Sequence, residues 1–189
     1  MHVPASHAIL PRLLMSMIVA TASANNALGE SPALIDANDL AADVRAMRTY
    51  GQPLLILYSQ AGCTWCEEAR RYIVPMAADA KTGDKALYRQ VNIDSDARLI
   101  DFAGQGSSHR AFAQARKVSL TPTVVLYGPD GQAIGEPIVG MRLPDFYGQY
   151  LINAIESARR AIEANLSRAA RSAATSQTDT APATARWGQ

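Results

Sequence analysis

Leu54-Leu55-Ile56-Leu57-Tyr58-Ser59, followed through Gly62 by Cys63-Thr64-Trp65-Cys66-Glu67-Glu68, is the stretch on which the fold turns. The first six residues are aliphatic enough for a strand buried on both faces. Gly62 breaks the run, and a helical pattern starts at Cys63 and passes through Arg70 and Arg71 to Pro75, which is expected to kink the helix or end its first segment. Cys63 and Cys66 are the only cysteines in the chain. Three apart at the first turn of a helix, they lie close enough to close a small disulfide ring. Cys63 then points off the helix end, where unpaired N–H groups and the macrodipole stabilise a thiolate. Cys63 is the candidate attacking thiol, and Cys66, one turn further in, the candidate resolving thiol.

Two plainer readings of the pair are weaker. As a structural crosslink it is poor, because the stabilisation grows with the length of the loop closed and this loop is nearly the shortest possible. As half of a zinc site it needs two more soft ligands, yet the only histidine beyond the amino-terminal segment is His109. No metal and no cofactor is expected.

Upstream, Arg12 precedes the apolar run Leu13 to Ala20, and Ala22-Ser23-Ala24 supplies a small-x-small cleavage pattern. The run is short for a bilayer span. Residues 1–24 read as a signal peptide cleaved after Ala24, with an uncleaved anchor as the alternative, so the chain is expected in an oxidising extracytoplasmic compartment, a bacterial periplasm, with no membrane span in its mature form. The 189 residues carry 18 basic and 17 acidic side chains, and the leader removes only Arg12 from that balance. A near-neutral chain with no basic patch gives no support to nucleic-acid binding. Its length and apolar content suit one soluble domain. From Ser167 to Gln189 it is mostly Ala, Ser, Thr and Arg, with hardly a large apolar residue, and reads as a flexible extension.

Between leader and tail, strands alternate with helices. A helix over Asp39–Met47 is expected, capped by Asp36 or Asn38 and with Leu40, Val44 and Met47 on one face. A second strand, Leu87 to Ile93, ends at the Asp94-Ser95-Asp96 turn. Short helical pieces follow around Ala97 to Phe102 and from a Ser107 or Ser108 cap to Lys117. Thr121 to Tyr127 is a strand opened by proline, and Gly128-Pro129-Asp130-Gly131 turns it into a partner ending near Val139. A long helix from Pro144 to about Leu166 closes the domain, with Phe146, Tyr150, Leu151, Ile155 and Ile162 on its stripe. This order implies a mixed sheet covered by helices.

The dithiol after a hydrophobic strand, the Thr-Pro opening a later strand, the Gly-Pro-Asp-Gly hairpin and the terminal helix after Gly140 together resemble the thioredoxin superfamily, over roughly 33–166. Within it the chain is most similar to secreted bacterial thioredoxin-like proteins. The resemblance implies an α/β thioredoxin fold with a mixed central sheet flanked by helices; from Asp94 to Pro122 the chain is longer than a minimal member needs, and the surplus, Phe102 to Lys117, reads as an inserted helical segment before the proline strand. It implies thiol:disulfide oxidoreductase activity on protein disulfides, together with a redox partner. Cys63 matches the nucleophile, Cys66 the resolving cysteine, and Pro122 a proline preceded by a cis bond. Thr121 takes the place whose backbone pairs with an extended substrate. Taken alone, Thr121-Pro122 is an ordinary strand start. Trp65 is a candidate partner contact, or else a packing residue.

Two departures from the family pattern stand out. Thr64-Trp65 replaces Gly-Pro between the cysteines, and Leu57 stands where a buried aspartate assists proton transfer to the second cysteine. Water, Glu67 or Glu68 are the candidate substitutes. Glu67, four residues from Cys63, is expected to oppose its thiolate by like charge, and no histidine or lysine lies between the cysteines, so the sequence favours a reductant. An isomerase or oxidase, and a non-catalytic binding or chaperone module on the same fold, are the competing readings.

Overall fold

The computed structural model describes residues 34–178, with the side chains of 176–178 excepted, and His2. The chain divides into Met1–Ser31 and Pro32–Gln189. The described elements belong to the second unit, and the leader expected over residues 1–24 lies outside the described residues, His2 apart.

The strand quoted at the outset forms as expected. β1 (Leu54–Ser59) is buried along its whole length and lies second in a four-stranded sheet. β2 (Leu87–Asn92) runs parallel to it on one side, Leu54 opposite Leu87, and β5 (Thr123–Tyr127) antiparallel on the other, Leu54 opposite Tyr127. The short β6 (Ile138–Val139) completes the order β2-β1-β5-β6. Because successive side chains alternate across a sheet, Leu55 and Leu57 enter one core with Val124 and Leu126. Leu54, Ile56 and Tyr58 enter the other with Val125 and Tyr127.

α2 (Thr64–Ala78) and α5 (Tyr147–Thr178) cover the first face, through Ala69, Ile73, Tyr147, Leu151 and Ile155. α1 (Leu40–Tyr50) and α4 (His109–Ala115) cover the second, through Leu40, Val44, Met47 and Phe112. Asp43 on α1 and Arg89 on β2 tie helix to sheet by two hydrogen bonds, Nη2–Oδ1 2.6 Å and Nε–Oδ2 3.1 Å. The mixed sheet with helices on both faces is the fold class the sequence implied.

Several local expectations are corrected. The α1 cap is Asp39, whose carboxylate accepts from Ala42 N–H at 2.8 Å; it alone stands three residues from the donor it reaches. α2 continues through Pro75 for one more turn, with Asp79 N–H bonding Pro75 O. Pro75 is exposed, so water can serve the carbonyl it deprives of a partner. A four-residue α3 (Ala80–Gly83) leads on to β2.

Residues 97–102, expected to be helical, instead supply β3 (Arg98–Ile100), paired antiparallel with β4 (Gly106–Ser108). The Asp101-to-Gln105 reversal, with Asp101 accepting from Ala103 and Gln105 N–H, favours a ribbon over a helix. The inserted segment is thus this ribbon together with α4, which Ser108 caps.

A 3-10 turn (Pro144–Phe146) opens the last helix, so its face is rotated: Tyr147 is buried, while Phe146 and Tyr150 are exposed. α5 also runs past Leu166 to Thr178, into the segment expected to be a flexible extension. Residues 166–175 are exposed and bury no core, but Ala169, Ala170, Ala173, Ala174 and two arginines are strong helix formers that let an existing helix propagate. Residues 179–189 lie outside the described part of the chain. Among the described residues, no helix is long and apolar enough to cross a membrane.

Candidate active site

β1 ends at Ser59, and the chain reaches α2 through a tight turn in which Gly62 has φ +67°, a left-handed conformation that glycine adopts without penalty. Asp94, in the turn after β2, holds this turn by accepting from Ala61 N–H at 2.9 Å. Cys63 is then the N-cap of α2. Its sulfur accepts Cys66 N–H at 3.1 Å, in the role a serine or aspartate oxygen usually plays. Cys63 and Cys66 are joined by a disulfide, S–S 2.04 Å and Cα–Cα 5.2 Å. Cys63 is partly exposed and Cys66 fully buried, the asymmetry expected of an attacking and a resolving sulfur.

The proline loop arrives at the same place. The Thr121–Pro122 bond is cis, and the Thr121 hydroxyl donates to Cys63 Sγ at 3.6 Å. Gly140, from the loop after β6, braces the proline by donating its N–H to Pro122 O at 2.8 Å. Among the described residues no main-chain hydrogen bond engages Thr121. Trp65 stands 58% exposed beside the sulfurs, so it is not a packing residue. Leu120, 64% exposed, precedes the loop. All five residues singled out from the sequence therefore lie at the mouth of α2 or on the loop that meets it.

A polar network that the sequence reading passed over lies behind Cys66. Arg70 Nη2 donates to Ser59 Oγ at 2.7 Å, Nε donates to Gln90 Oε1 at 2.8 Å, and Nη1 pairs with Glu67 Oε1 at 2.6 Å. Two signals in the sequence could have found it: a serine ending an otherwise apolar buried strand, and an arginine four residues after Cys66. This network alters the expected electrostatics. Glu67 is paired with a cation, so its carboxylate does not bear on Cys63 as an unopposed negative charge. Leu57 is fully buried, as the missing-aspartate pattern requires. Gln60, Gly62, Glu67, Arg70, Asn92 and Asp94 are among the residues lining a polar cleft of about 440 Å³ beside the turn. No group of three or more metal-ligating side chains occurs among the described residues.

A mixed sheet of this order, a disulfide across the first turn of the helix after its central strand, and a cis-proline loop at the outer sulfur define a thioredoxin-fold protein with a Cys-x-x-Cys centre. No protein-family model matches the chain, and no curated protein matches its sequence. Among solved structures it is similar to Trxlp of Edwardsiella tarda, at 23% identity over 62% of this chain and 97% of that one, TM-score 0.46. It is similar to Fasciola hepatica thioredoxin, at 14% identity over 65% and 97%, TM-score 0.45. The reduced periplasmic thioredoxin SoxS of Paracoccus pantotrophus is 23% identical over 57% and 99%, TM-score 0.41. Likenesses at this level carry no weight by themselves; the assignment rests on strand order and site geometry.

Proposed function

We propose that this protein is a periplasmic thiol:disulfide oxidoreductase that reduces disulfides in extended polypeptides. The observation that carries the proposal is the position of Cys63 Sγ, capped by the Cys66 N–H at 3.1 Å and touched by the Thr121 hydroxyl at 3.6 Å. Both donors favour a thiolate there, and the second belongs to Thr121, whose own main chain makes no hydrogen bond among the described residues and can pair with a substrate strand.

In the reduced protein the Cys63 thiolate attacks one sulfur of a substrate disulfide, forming a mixed disulfide while the other substrate sulfur leaves as thiolate. Cys66, as thiolate, then attacks Cys63 Sγ. The Cys63–Cys66 bond forms, the second substrate sulfur departs, and the two electrons now reside on the substrate dithiol. Thr121 and Pro122 position the substrate chain, and Trp65 offers it an exposed aromatic surface.

The reductive direction is supported by the neutrality of the groups at Cys63: a hydroxyl and an amide, with no cation paired there among the described residues. A reduction potential near the thioredoxin value of about −270 mV is expected, and one near about −120 mV, that of a strong oxidant, would overturn the direction. Periplasmic placement is supported by the leader pattern of residues 1–24 and is tested by the amino terminus of the exported protein. The whole proposal is tested by insulin reduction. The wild-type chain is expected to be active and Cys63→Ser silent, with Cys66→Ser trapped on its substrates as a mixed disulfide. A silent wild type that still binds partners after both cysteines are replaced would instead mean a binding module.

A further inference from the structure

We infer that Arg70 is the positioning residue of the resolving step, supplying electrostatically to the Cys66 thiol what a buried carboxylate at position 57 would supply by taking its proton. This inference rests on the exchange reaction proposed above. Cys66 must become a thiolate to release a bound substrate, yet it is fully buried and Leu57 offers its proton no acceptor. In an apolar surrounding that ionisation is disfavoured.

Arg70 is placed to oppose this. It follows Cys66 by four residues on α2, so the two share a helix face with Cβ atoms about 5–6 Å apart, and helical side chains lean towards the amino terminus, the turn that holds Cys66. The guanidinium does lean that way, since it reaches Glu67 in that turn and Ser59 at the end of β1. Ser59 and Gln90 occupy its inner donors with neutral oxygens, so its charge is not cancelled on the side facing the core.

Among the described residues Glu67 is the one carboxylate paired with it, and it is unequal to it: the Glu67 side chain is 71% exposed against 18% for Arg70. Water screens the anion more than the cation, leaving a net positive field at the buried sulfur. The other charges around the start of α2 do not reverse this. Glu68 pairs with Arg71 at 3.3 Å, and Asp94 is engaged by the Ala61 N–H. β1 and the proline loop contribute Leu57, Ser59, Thr121 and Pro122, all neutral. Tyr147, packed on this face from α5, has its phenol pushed up to about 12 by burial and stays uncharged. The Cys66 proton leaves to water, the thiolate attacks Cys63 Sγ, and the departing sulfur carries the negative charge away.

The test uses the full chain. In a Cys63→Ser background the Cys66 thiolate is followed by its ultraviolet absorbance against pH, with Arg70 as arginine, lysine or methionine. Arg70→Met is expected to leave about tenfold less thiolate at neutral pH, the low end for an opposite charge at this range, and Arg70→Lys to restore most of it. In the dithiol protein, an aromatic disulfide reagent releases one chromophore when Cys63 attacks and a second when Cys66 resolves. Arg70→Met should slow the second release about tenfold, with recovery at alkaline pH, and slow the first by much less, because the Glu67 carboxylate it leaves unpaired is exposed and screened by water. A folded Arg70→Met protein with an unaltered Cys66 titration and second release would overturn the inference.

Should that variant not fold, Glu67→Gln at the exposed carboxylate takes its place. It is expected to raise the thiolate fraction by about twofold or more, and an unchanged or lowered fraction would count against Arg70 equally. A chain that fails to reduce insulin but still shows the Arg70-dependent titration would sink the proposed function and leave this inference standing.

Discussion

Arg70 and Arg116 sit on opposite faces of one sheet, and their surroundings could hardly differ more. Arg70 lies on the α2 face, one helical turn from Cys66 and held by Ser59, Gln90 and Glu67. Arg116, ending α4 on the other face, lays its guanidinium over Phe102, Phe112 and Tyr127, with centroid distances of 5.0, 5.2 and 5.6 Å, and donates to Gly131 O at 3.2 Å. The Gly131 turn has no room for anything larger: a Cβ there would fall 2.9 Å from Phe102 Cβ, at φ +72°. Arg116 closes the rim of an aromatic cluster in which Tyr58 stacks on Phe112 and bonds Tyr127 through their hydroxyls at 2.6 Å. A cation over ring faces stabilises the fold and acts on no reacting atom. A cation held by two neutral oxygens and one exposed carboxylate, a helical turn from a buried thiol, has a field to lend.

The contrast breaks most heavily at Phe112. Phe112→Ala removes a ring that is 3% exposed and touches Tyr58, Phe102 and Arg116. It is expected to cost about 3–5 kcal/mol in denaturant unfolding, while the folded variant keeps its Cys63–Cys66 reduction potential. A potential that moved with it would mean the two faces are not separate. Arg116→Met should lose about 1–2 kcal/mol, the worth of partly desolvated cation–π contacts, and should leave the Cys66 titration where it was. If it moved that titration as Arg70→Met does, the distinction between the two arginines would collapse.

His109 sharpens the comparison through pH. It is 1% exposed and its Nδ1 accepts from Asn92 N–H at 3.0 Å, so protonating that nitrogen breaks a bond and buries a charge. Burial pushes its pKa below the ordinary 6.5, although Asp36 pulls the other way. In the window between the folded value and 6.5 the unfolded chain binds more protons, so stability is lost as pH falls through it. Melting temperature should decline as the solution is acidified below 6.5, and His109→Phe should flatten that decline whatever it does to stability at neutral pH. An equal slope in both proteins would assign the acid sensitivity elsewhere.

The smallest effect on stability is expected at Trp65, where Trp65→Ala removes an exposed ring and should change unfolding by no more than about 0.5 kcal/mol. Its KM for a protein disulfide should nevertheless rise several-fold while turnover of a small disulfide is unaltered. Equal loss on both substrates would make Trp65 a support of the disulfide rather than a contact for partners.

The sequence was most legible where one local rule sufficed. Five apolar residues before Ser59, followed by a Gly-Cys-x-x-Cys step, required a buried strand and a helix start, and the hairpin at Gly128 to Gly131 was readable from turn chemistry. It was least legible where distant groups decided the outcome. Residues 97–102 carry no strong period, and their partner strand lies beyond a turn, so pairing with Gly106 to Ser108 outweighed a weak helical pattern. The stripe on α5 was off by part of a turn, because a 3-10 start advances the face differently from an α-helical one.

From its own spacing, the chain determined that two thiols would share the first turn of a helix and that one would be outermost. Backbone geometry over four residues admits little else. Only the tertiary structure decided that the Thr121 hydroxyl, 58 residues away, would reach Cys63, and that Glu67 would be answered by Arg70 anchored on two different strands. Electrostatics and hydrogen bonds act through space, and which charges become neighbours is settled by how sheet and helices pack.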